Sequence, residues 1–259
     1  MDFGLTKHHA IVPVLKVKHY TKRLFSFLTT RPTKLVFKAG EFVMIGLIIN
    51  DKPIFRAYSI CTPSWSDELE FYSIKVPGGM LTTYLQKITT KNAIIIKSKA
   101  TGTLVLAALT AGERLYLLCT GTGIAPFMSI LFEPEVYDKF KQIIIVLTCR
   151  EVGELQYLKD KVEQIRNTPL KTLAKGKARF YTTTTREQSQ FMGRIPYLIT
   201  SGKLTNDLGG HPLNANDRFM ICGSQAMIND VTTVLTAMGF KEGNTSNPQD
   251  FVYEKAFAD

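Results

Sequence analysis

The stretch Leu115–Leu131, LYLLCTGTGIAPFMSIL, has the pattern of a buried strand, a tight turn and a helix. The apolar run ends at Thr120, the chain turns through Gly121-Thr122-Gly123, and a helical pattern starts after Pro126. Glycines let backbone amides approach a ligand, and proline in a first helical turn loses only an amide that has no partner there. Taken alone, this pattern is as compatible with a turn shaped by packing as with a nucleotide-binding turn.

Two kinds of organisation flank this stretch. After it, strands alternate with helices, as in KQIIIVLTC, ELQYLKDKVEQIRN, ARFYTTTT, RFMICG and SQAMINDVTTVLTAMGF. Such alternation is typical of a doubly wound parallel sheet. Before it, short strands separated by turn residues predict a closed or nearly closed antiparallel β-barrel. The predicted domains are therefore a barrel at 1–108 and an α/β domain at 109–259.

Composition and charge limit the class of protein. The chain has 259 residues, of which 45% are hydrophobic and 21% charged, as in soluble globular proteins of two domains. Lysine and arginine total 32 against 22 acidic residues, a formal net charge of +10. This excess favours an acidic partner or ligand, but it does not choose among nucleic acid, phosphate groups, an anionic membrane and an acidic protein.

The cysteines and histidines show no metal-binding spacing. The four cysteines, Cys61, Cys119, Cys149 and Cys222, are tens of residues apart, so no iron–sulfur pattern is present. We expect buried free thiols and a reducing compartment. The longest apolar stretch, Phe42–Ile49, is far shorter than a membrane span, and the first twenty residues lack a signal-peptide core. The sequence predicts a soluble, cytoplasmic protein without a metal.

Polar or small residues follow three strands of the predicted parallel sheet. They are Cys119-Thr120-Gly121, Cys149-Arg150 and Cys222-Gly223-Ser224. Ligands of open parallel sheets bind outside the carboxyl ends of the strands. These three strand ends are therefore expected to line one crevice.

A second candidate site lies in the barrel. In the predicted strand at 55–60, alternation places Arg56 and Tyr58 on one face, where they could clamp a pyrophosphate and cover an aromatic heterocycle. An exposed pair on an edge strand is the alternative. Further on, Pro77-Gly78-Gly79 forms a turn before a short helix that begins with Leu81-Thr82-Thr83-Tyr84, and the N-terminus of a helix can bind an anion.

Nine segments in order resemble the ferredoxin–NADP reductase superfamily, in particular its bacterial type. They are RAYS (56–59), FYSIKVPGGMLT, KATGTLVL, GTGIAPF, TCR, TTTTRE, GRIPYLI, MICGS and VYEKAFAD. The resemblance implies an FAD-binding barrel, an NADP-binding domain and a C-terminal tail that returns to the flavin. It also implies hydride transfer between NADP(H) and FAD, and single-electron transfer between FAD and ferredoxin or flavodoxin.

The same resemblance assigns residues to FAD. Within RAYS, which also includes Ala57, Arg56 would hold the pyrophosphate, Tyr58 would stack on the isoalloxazine, and Ser59 would lie near its reactive nitrogen. The other implied FAD contacts are the backbone of Met80, Leu81 and Thr82 at the pyrophosphate, Tyr72 at the nucleotide, Ala256 at the isoalloxazine and Phe257 at the adenine.

For NADP the resemblance implies Thr122 between the two cofactors, and it matches Arg186 best. No carboxylate stands between Arg179 and Arg186, and arginines accept a 2′-phosphate where NAD-selective sites use an acid, so NADP is favoured over NAD. Arg150 is the third candidate cation, and Arg179 could instead be a solvated strand residue.

Hydride transfer itself involves three positions by resemblance. Cys222 and Glu254 would border the nicotinamide, and with Ser59 they would form the catalytic surroundings. Without such a role, Cys222 would be a buried thiol at the end of a strand, and Glu254 a solvated acid near the end of the chain.

Two other functions remain open. One is a reductase of the same superfamily that serves an oxygenase, free flavin or iron chelates. The other is a basic barrel that binds single-stranded nucleic acid through aromatic side chains, which would leave the arginines and GTGIAP without a role. The favoured prediction is a monomer whose partner is an acidic electron carrier, with neither nucleic acid nor membrane as partner.

Overall fold

The computed structural model describes residues 5–256, which form two compact units. The first unit comprises residues 5–102 and 125–130, and the second comprises 103–124 and 131–256. The predicted domains, 1–108 and 109–259, are continuous stretches, whereas the first unit also includes 125–130.

The first unit is a curled, antiparallel six-stranded sheet, as predicted. Its strands are β1 (His9–His19), β2 (Leu24–Thr30), β3 (Phe42–Ile49), β4 (Lys52–Ser59), β5 (Glu68–Ile74) and β6 (Ala93–Lys97), and its one short helix between strands is α1 (Thr82–Leu85). The strand order is β4-β3-β6-β1-β2-β5, so β4 and β5 are the two edge strands. Alternating residues such as Val12 and Val14 point into an apolar core.

A tight hairpin connects β3 to edge strand β4. Asn50 and Asp51 have φ values of 52° and 62°, and Ile49 pairs directly with Lys52. Two central residues with positive φ match the twist of the flanking strands, and Asn and Asp tolerate that conformation. The hairpin thereby fixes which residues of β4 lie opposite the core residues of β3.

The second unit contains a five-stranded parallel sheet. Its strands are β7 (Arg114–Thr120), β8 (Gln142–Cys149), β9 (Ala178–Thr184), β10 (Asp217–Gly223) and β11 (Phe251–Lys255). The order β11-β10-β7-β8-β9 runs outward from β7 in both directions, which is the predicted doubly wound arrangement. The run IIIVL in β8 is buried throughout, as expected for a parallel strand covered on both faces.

Helices connect these strands. They are α2 (Ala125–Leu131), α3 (Pro134–Lys139), α4 (Gln156–Arg166), α5 (Leu170–Ala174), α6 (Ile195–Thr200), α7 (Lys203–Asp207) and α8 (Gln225–Ala237). Pro126 lies in the first turn of α2, as predicted. Ser224 caps α8 by accepting a hydrogen bond from the Met227 amide, and the helix buries residues one turn apart, among them Val231 and Leu235.

Candidate functional site

The glycine turn after β7 packs tightly against the end of β10. Gly121 has φ +53°, a conformation that side chains rarely adopt, and a Cβ added at Gly123 would overlap the Cys222 carbonyl. On the opposite strand, a Cβ at Gly223 would come within 2.5 Å of Thr120 Oγ1. The glycines therefore allow the two strand ends to approach one another, and this packing buries Thr122 in the second unit.

Three thiols lie at the carboxyl ends of adjacent strands. Cys119 and Cys222 are register partners on β7 and β10, and Cys149 ends β8. Burial raises the pKa of Cys119 and of Cys222 well above the usual value, and it raises the pKa of Cys149 to about 12. All three therefore stay neutral near pH 7. In residues 5–256 no group of three or more His, Cys, Asp or Glu side chains is arranged to hold a metal ion.

Cys222 and Glu254 are neighbours across the β10–β11 ladder, where they are register partners. The Glu254 carboxylate accepts a hydrogen bond from the Thr103 amide (2.9 Å), while Thr103 Oγ1 donates to the Tyr253 carbonyl (2.6 Å). After burial, the charge of Glu254 is the second cause of the raised Cys222 pKa. The structure thus brings together the two residues of this unit that the family resemblance assigned to hydride transfer.

The chain beyond β11 continues along the same edge. The Ala256 amide donates to the Gly223 carbonyl (2.9 Å), which places Ala256 beside the end of β10. Phe257, assigned by resemblance to the FAD adenine, lies outside the described residues.

Arg150 and Arg186 lie on neighbouring loops at the carboxyl ends of β8 and β9. The Arg186 amide donates to the Arg150 carbonyl (3.0 Å), which joins the loops directly. Two carboxylates of these loops are engaged by backbone amides: Glu154 accepts from the Arg150 amide (2.8 Å) and Glu187 from the Val152 amide (2.7 Å). Both arginines are exposed, and within the part of the chain that the structure describes neither forms an ion pair. Two cations are therefore available to a phosphate.

Arg179 does not join this pair. It is the second residue of β9 and pairs with Ile144, so it lies at the amino end of the strand, about 16 Å of strand length from Thr184 at 3.3 Å per residue. Its Nη1 donates to the Leu208 carbonyl (2.5 Å) at the end of α7. Arg179 therefore lies near the start of β9 and Arg186 just beyond its end, with nearly the whole strand between them.

Arg194, unlike Arg179, lies at the carboxyl end of β9, where Arg186 also lies. The preceding Gly193 donates its amide to the Thr184 carbonyl (3.2 Å) and accepts from Thr183 Oγ1 (3.0 Å). Arg194, exposed and immediately before α6, therefore lies at the carboxyl end of β9. The sequence contained a signal for it, since GRIPYLI places an arginine directly before a helix that opens with Ile-Pro.

In the first unit, β4 presents Arg56 and Tyr58 on one face. They pair with the buried core residues Ile45 and Val43 of β3, as the predicted alternation requires. Arg56 is half-buried, and its Nη1 donates to the carbonyl of the adjacent Phe55 (2.8 Å). The residues between and after them, Ala57 and Ser59, belong to the other face of the strand.

The Tyr58 side chain is held at its far end. Its hydroxyl shares a 2.9 Å hydrogen bond with the hydroxyl of Ser73 on β5, and burial raises the pKa of Tyr58 to about 12. The ring meets Phe27 and Phe71 edge to face, with centroids 6.5 and 6.3 Å away. The next residue along β5 in the amino-terminal direction, Tyr72, is buried.

The turn before α1 leaves backbone amides unpaired. Leu81 is buried and anchors the segment, and Thr82 Oγ1 donates to the Val76 carbonyl (3.3 Å). Among the hydrogen bonds of the described residues, none is donated by the amides of Met80, Leu81 or Thr82. Three consecutive amides are therefore free to meet an anion, which fits the diphosphate that the family resemblance assigned to them.

Two family models match the chain in this order. Residues 11–104 match the oxidoreductase FAD-binding domain, and residues 117–233 match the oxidoreductase NAD-binding domain. The chain is thus a two-domain oxidoreductase of the flavin- and pyridine-nucleotide-binding class. In residues 5–256 no helix is long and apolar enough to cross a membrane.

Similar proteins narrow this class. The chain is 53% identical over 247 residues to the flavodoxin/ferredoxin–NADP reductase of Rhodobacter capsulatus, covering 94% of this chain and 92% of that protein. It is 42% identical to the ferredoxin–NADP reductase of Azotobacter vinelandii, covering 95% and 96%. A solved ferredoxin NADP⁺ reductase from Neisseria gonorrhoeae with bound FAD and NADP is 30% identical, with a TM-score of 0.86 and coverage of 97% and 100%. The chain belongs to the ferredoxin–NADP reductase family.

Proposed function

We propose that this protein transfers a hydride between NADP(H) and FAD, and single electrons between FAD and ferredoxin or flavodoxin. The observation that carries the proposal is the pair of exposed arginines, Arg150 and Arg186, at the carboxyl edge of the parallel sheet, to which no acid among residues 5–256 is paired. An NADP-binding edge in a chain that also has an FAD-binding domain is what this reaction needs.

The first unit supplies the FAD site. The free amides of Met80, Leu81 and Thr82, with the Arg56 guanidinium, suit the diphosphate because backbone amides and a planar cation both bind phosphate oxygens. Tyr58 offers an aromatic ring to the isoalloxazine, with Ala57, Ser59 and Tyr72 as neighbouring contacts. Ala256 and Phe257 complete the proposed set.

The second unit supplies the NADP site. Arg150 and Arg186 meet the phosphates of the adenosine half, and the position of Arg194 adds it to this group. We leave Arg179 out, because its guanidinium is bonded at the opposite end of β9. Thr122, buried in the turn after β7, lies on the strand-end edge where the nicotinamide would enter.

In the reaction, bound FAD supplies the step from a two-electron to a one-electron carrier. The residues of the chain provide an environment for hydride transfer. Cys222 would border the nicotinamide as a neutral thiol, since burial and the Glu254 charge both raise its pKa. Glu254, oriented by the Thr103 amide, supplies a negative charge beside the cationic oxidised nicotinamide. Ser59, the third residue that the resemblance assigns to hydride transfer, would contribute a hydroxyl group.

The electron carrier is acidic and docks on the first unit. Residues 5–102 contain 15 lysines and arginines against five acids, and segments 5–40 and 71–102 contain no acid. These segments form the adjacent strands β1, β2 and β6. The Lys75 amide donates to the Arg23 carbonyl (2.7 Å), which places Lys75 beside Lys22 and Arg23 at the tip of the β1–β2 hairpin. A positive charge of this density attracts an acidic protein and repels a basic one.

We further propose that the protein is a monomer and that it is cytoplasmic; four buried free thiols suit a reducing compartment. The test of the whole proposal is to reduce the purified yellow protein anaerobically with NADPH or NADH, and then to add ferredoxin or flavodoxin. Fast bleaching by NADPH and rapid reduction of the carrier are expected. Equal bleaching by NADH, or a reduced flavin that leaves both carriers oxidised, would overturn it.

A further inference from the structure

A pair of hydroxyl groups joins the two edge strands of the first unit. Tyr58 lies on β4 and Ser73 on β5, at opposite ends of the strand order, and their hydroxyls are 2.9 Å apart. No strand ladder pairs β4 with β5 in the described residues, although the chain just beyond β4 reaches β5 through the Cys61 amide and the Glu70 carbonyl (2.9 Å). This side-chain bond therefore depends on the curl of the whole sheet.

The Tyr58 ring is constrained on several sides. The planes of Phe27 and Phe71 stand at 62° and 88° to it, so both meet it edge to face. These apolar contacts restrict its position, but an aromatic ring can still tilt between two edge-to-face neighbours. The hydrogen bond to the Ser73 hydroxyl fixes this tilt of the Tyr58 ring, which the two phenylalanines do not restrict.

The hydrogen bond to Tyr58 accounts for a polar residue at position 73. It is 2% exposed and lies opposite Phe25 in the β2–β5 ladder, a position where an apolar residue would pack as well. A buried hydroxyl without a partner is costly, so the serine and the tyrosine satisfy one another.

We infer that Ser73 is a positioning residue, whose hydrogen bond to Tyr58 sets the tilt at which that ring meets the isoalloxazine. This inference rests on the proposed function, which places Tyr58 against the flavin. Ser73 itself touches no cofactor in this arrangement and acts only through the tyrosine.

Ser26 offers a matched control on the neighbouring strand. It is also a buried serine, 6% exposed, and its hydroxyl lies 3.3 Å from that of Tyr20. Ser26→Ala therefore removes the same kind of group from the same sheet and leaves the Tyr58 bond intact.

The experiment compares Ser73→Ala, Tyr58→Phe, their double variant, Ser26→Ala and Tyr58→Ala as purified holoproteins. Visible circular dichroism of the bound flavin reports the geometry of its aromatic neighbour, and the FAD dissociation constant reports binding. We expect Ser73→Ala and Tyr58→Phe to alter the flavin dichroism alike and to weaken FAD binding about three- to tenfold, the loss expected from one neutral hydrogen bond. The double variant should do no more than either single one.

Three results would overturn the inference. They are a wild-type dichroism spectrum in Ser73→Ala, an equal change in Ser26→Ala, and additive effects in the double variant. If Tyr58→Ala alters the dichroism while Ser73→Ala does not, only the role of Ser73 fails. If Tyr58→Ala also leaves the dichroism unchanged, Tyr58 does not face the isoalloxazine, and the proposed cofactor placement fails with it.

Discussion

Cys222 and Glu254 face one another across the β10–β11 ladder, a neutral buried thiol beside a carboxylate that is held by the Thr103 amide. Burial is the larger cause of the raised Cys222 pKa and the carboxylate the smaller. The pair thus places a fixed charge and an unionised sulfur at the strand edge proposed for the nicotinamide. Its reactivity follows from the same two causes.

The first prediction concerns that reactivity. Thiolate is the nucleophilic form of cysteine, and all four free cysteines are buried. At pH 8 we expect none of the thiols of the native protein to react with a disulfide reagent within minutes. In the unfolded protein all four thiols should react. Rapid labelling of Cys222 in the native protein would contradict the structure. Cys222→Ser identifies the site if one thiol does react.

The second prediction concerns stability at high pH. The folded pKa values of Cys119 and Cys222 lie well above 9, and that of Tyr58 is raised to about 12 from 10. A group whose folded pKa is raised stabilises the fold below its unfolded pKa and loses that contribution as the pH rises. The free energy of unfolding should therefore fall steadily from about pH 9 upward, measured by urea denaturation. Cys119→Ala should flatten the fall; an identical slope would show that this thiol does not contribute.

The third prediction concerns coenzyme choice. Arg186→Ala removes a charge-assisted contact worth about 1.5–3 kcal/mol, which corresponds to roughly one to two decades in affinity. The KM for NADPH should rise by that factor, with kcat and the use of NADH nearly unchanged, because binding far from the hydride is uniform. Arg194→Ala should act in the same direction.

Arg179→Ala is the control for that series. Its guanidinium bonds the Leu208 carbonyl, so its loss should cost about 1 kcal/mol of folding free energy and leave the NADPH KM unaltered. A KM increase equal to that of Arg186→Ala would return Arg179 to the phosphate site.

The fourth prediction concerns FAD retention. Arg56→Ala should weaken FAD binding by about 1.5–3 kcal/mol, since a guanidinium contact to a diphosphate is charge-assisted. The measurement is the flavin-to-protein absorbance ratio after exhaustive gel filtration. Lys52→Ala, an exposed change on the same strand, provides the comparison. Full flavin content in Arg56→Ala would remove the arginine from the diphosphate.

The fifth prediction concerns the carrier. The Debye length falls from about 10 Å at 0.1 M salt to about 3 Å at 1 M, so reduction of an acidic carrier should slow with salt. Reduction of ferricyanide by NADPH should change much less. At low ionic strength, the double variant Lys22→Gln/Lys75→Gln should reduce the carrier as slowly as the wild type does at high salt. The double variant Lys171→Gln/Lys175→Gln, in the second unit, should not slow the reaction. Equal losses in the two double variants would disprove docking on the first unit.

The sequence predicts the fold more fully than the site. The continuous apolar run of β8 and the alternation in β1 and β4 are local signals. β1 and β8 lie where their patterns indicate, whereas β4 spans Lys52–Ser59 rather than the expected 55–60. The two-unit oxidoreductase architecture followed from those signals and from the order of nine motifs. The GTG turn was predicted as well, but its tight contact with Cys222 was not, because that contact joins segments about 100 residues apart in the chain.

The arginines show what the sequence alone does not distinguish. Arg179 lies near the start of β9 and Arg186 just beyond its end, and the residues between them do not reveal that nearly the whole strand separates the two side chains. The Tyr58–Ser73 hydrogen bond could not be predicted, because no local sequence pattern shows that the side chains of the two edge strands, β4 and β5, will meet when the sheet curls. Both outcomes depend on tertiary geometry rather than on propensity.

The uneven charge of the two units also determines how the protein should behave at an interface. Residues 5–102 hold 15 cations against five acids, a surplus of ten positive charges, which equals the formal charge of +10 of the whole chain. On a negatively polarised electrode or a cation-exchange resin, the molecule should adsorb through the flavin unit first. An electrode coated with carboxylate-terminated thiols would then exchange electrons with the enzyme directly, taking the place of the carrier protein.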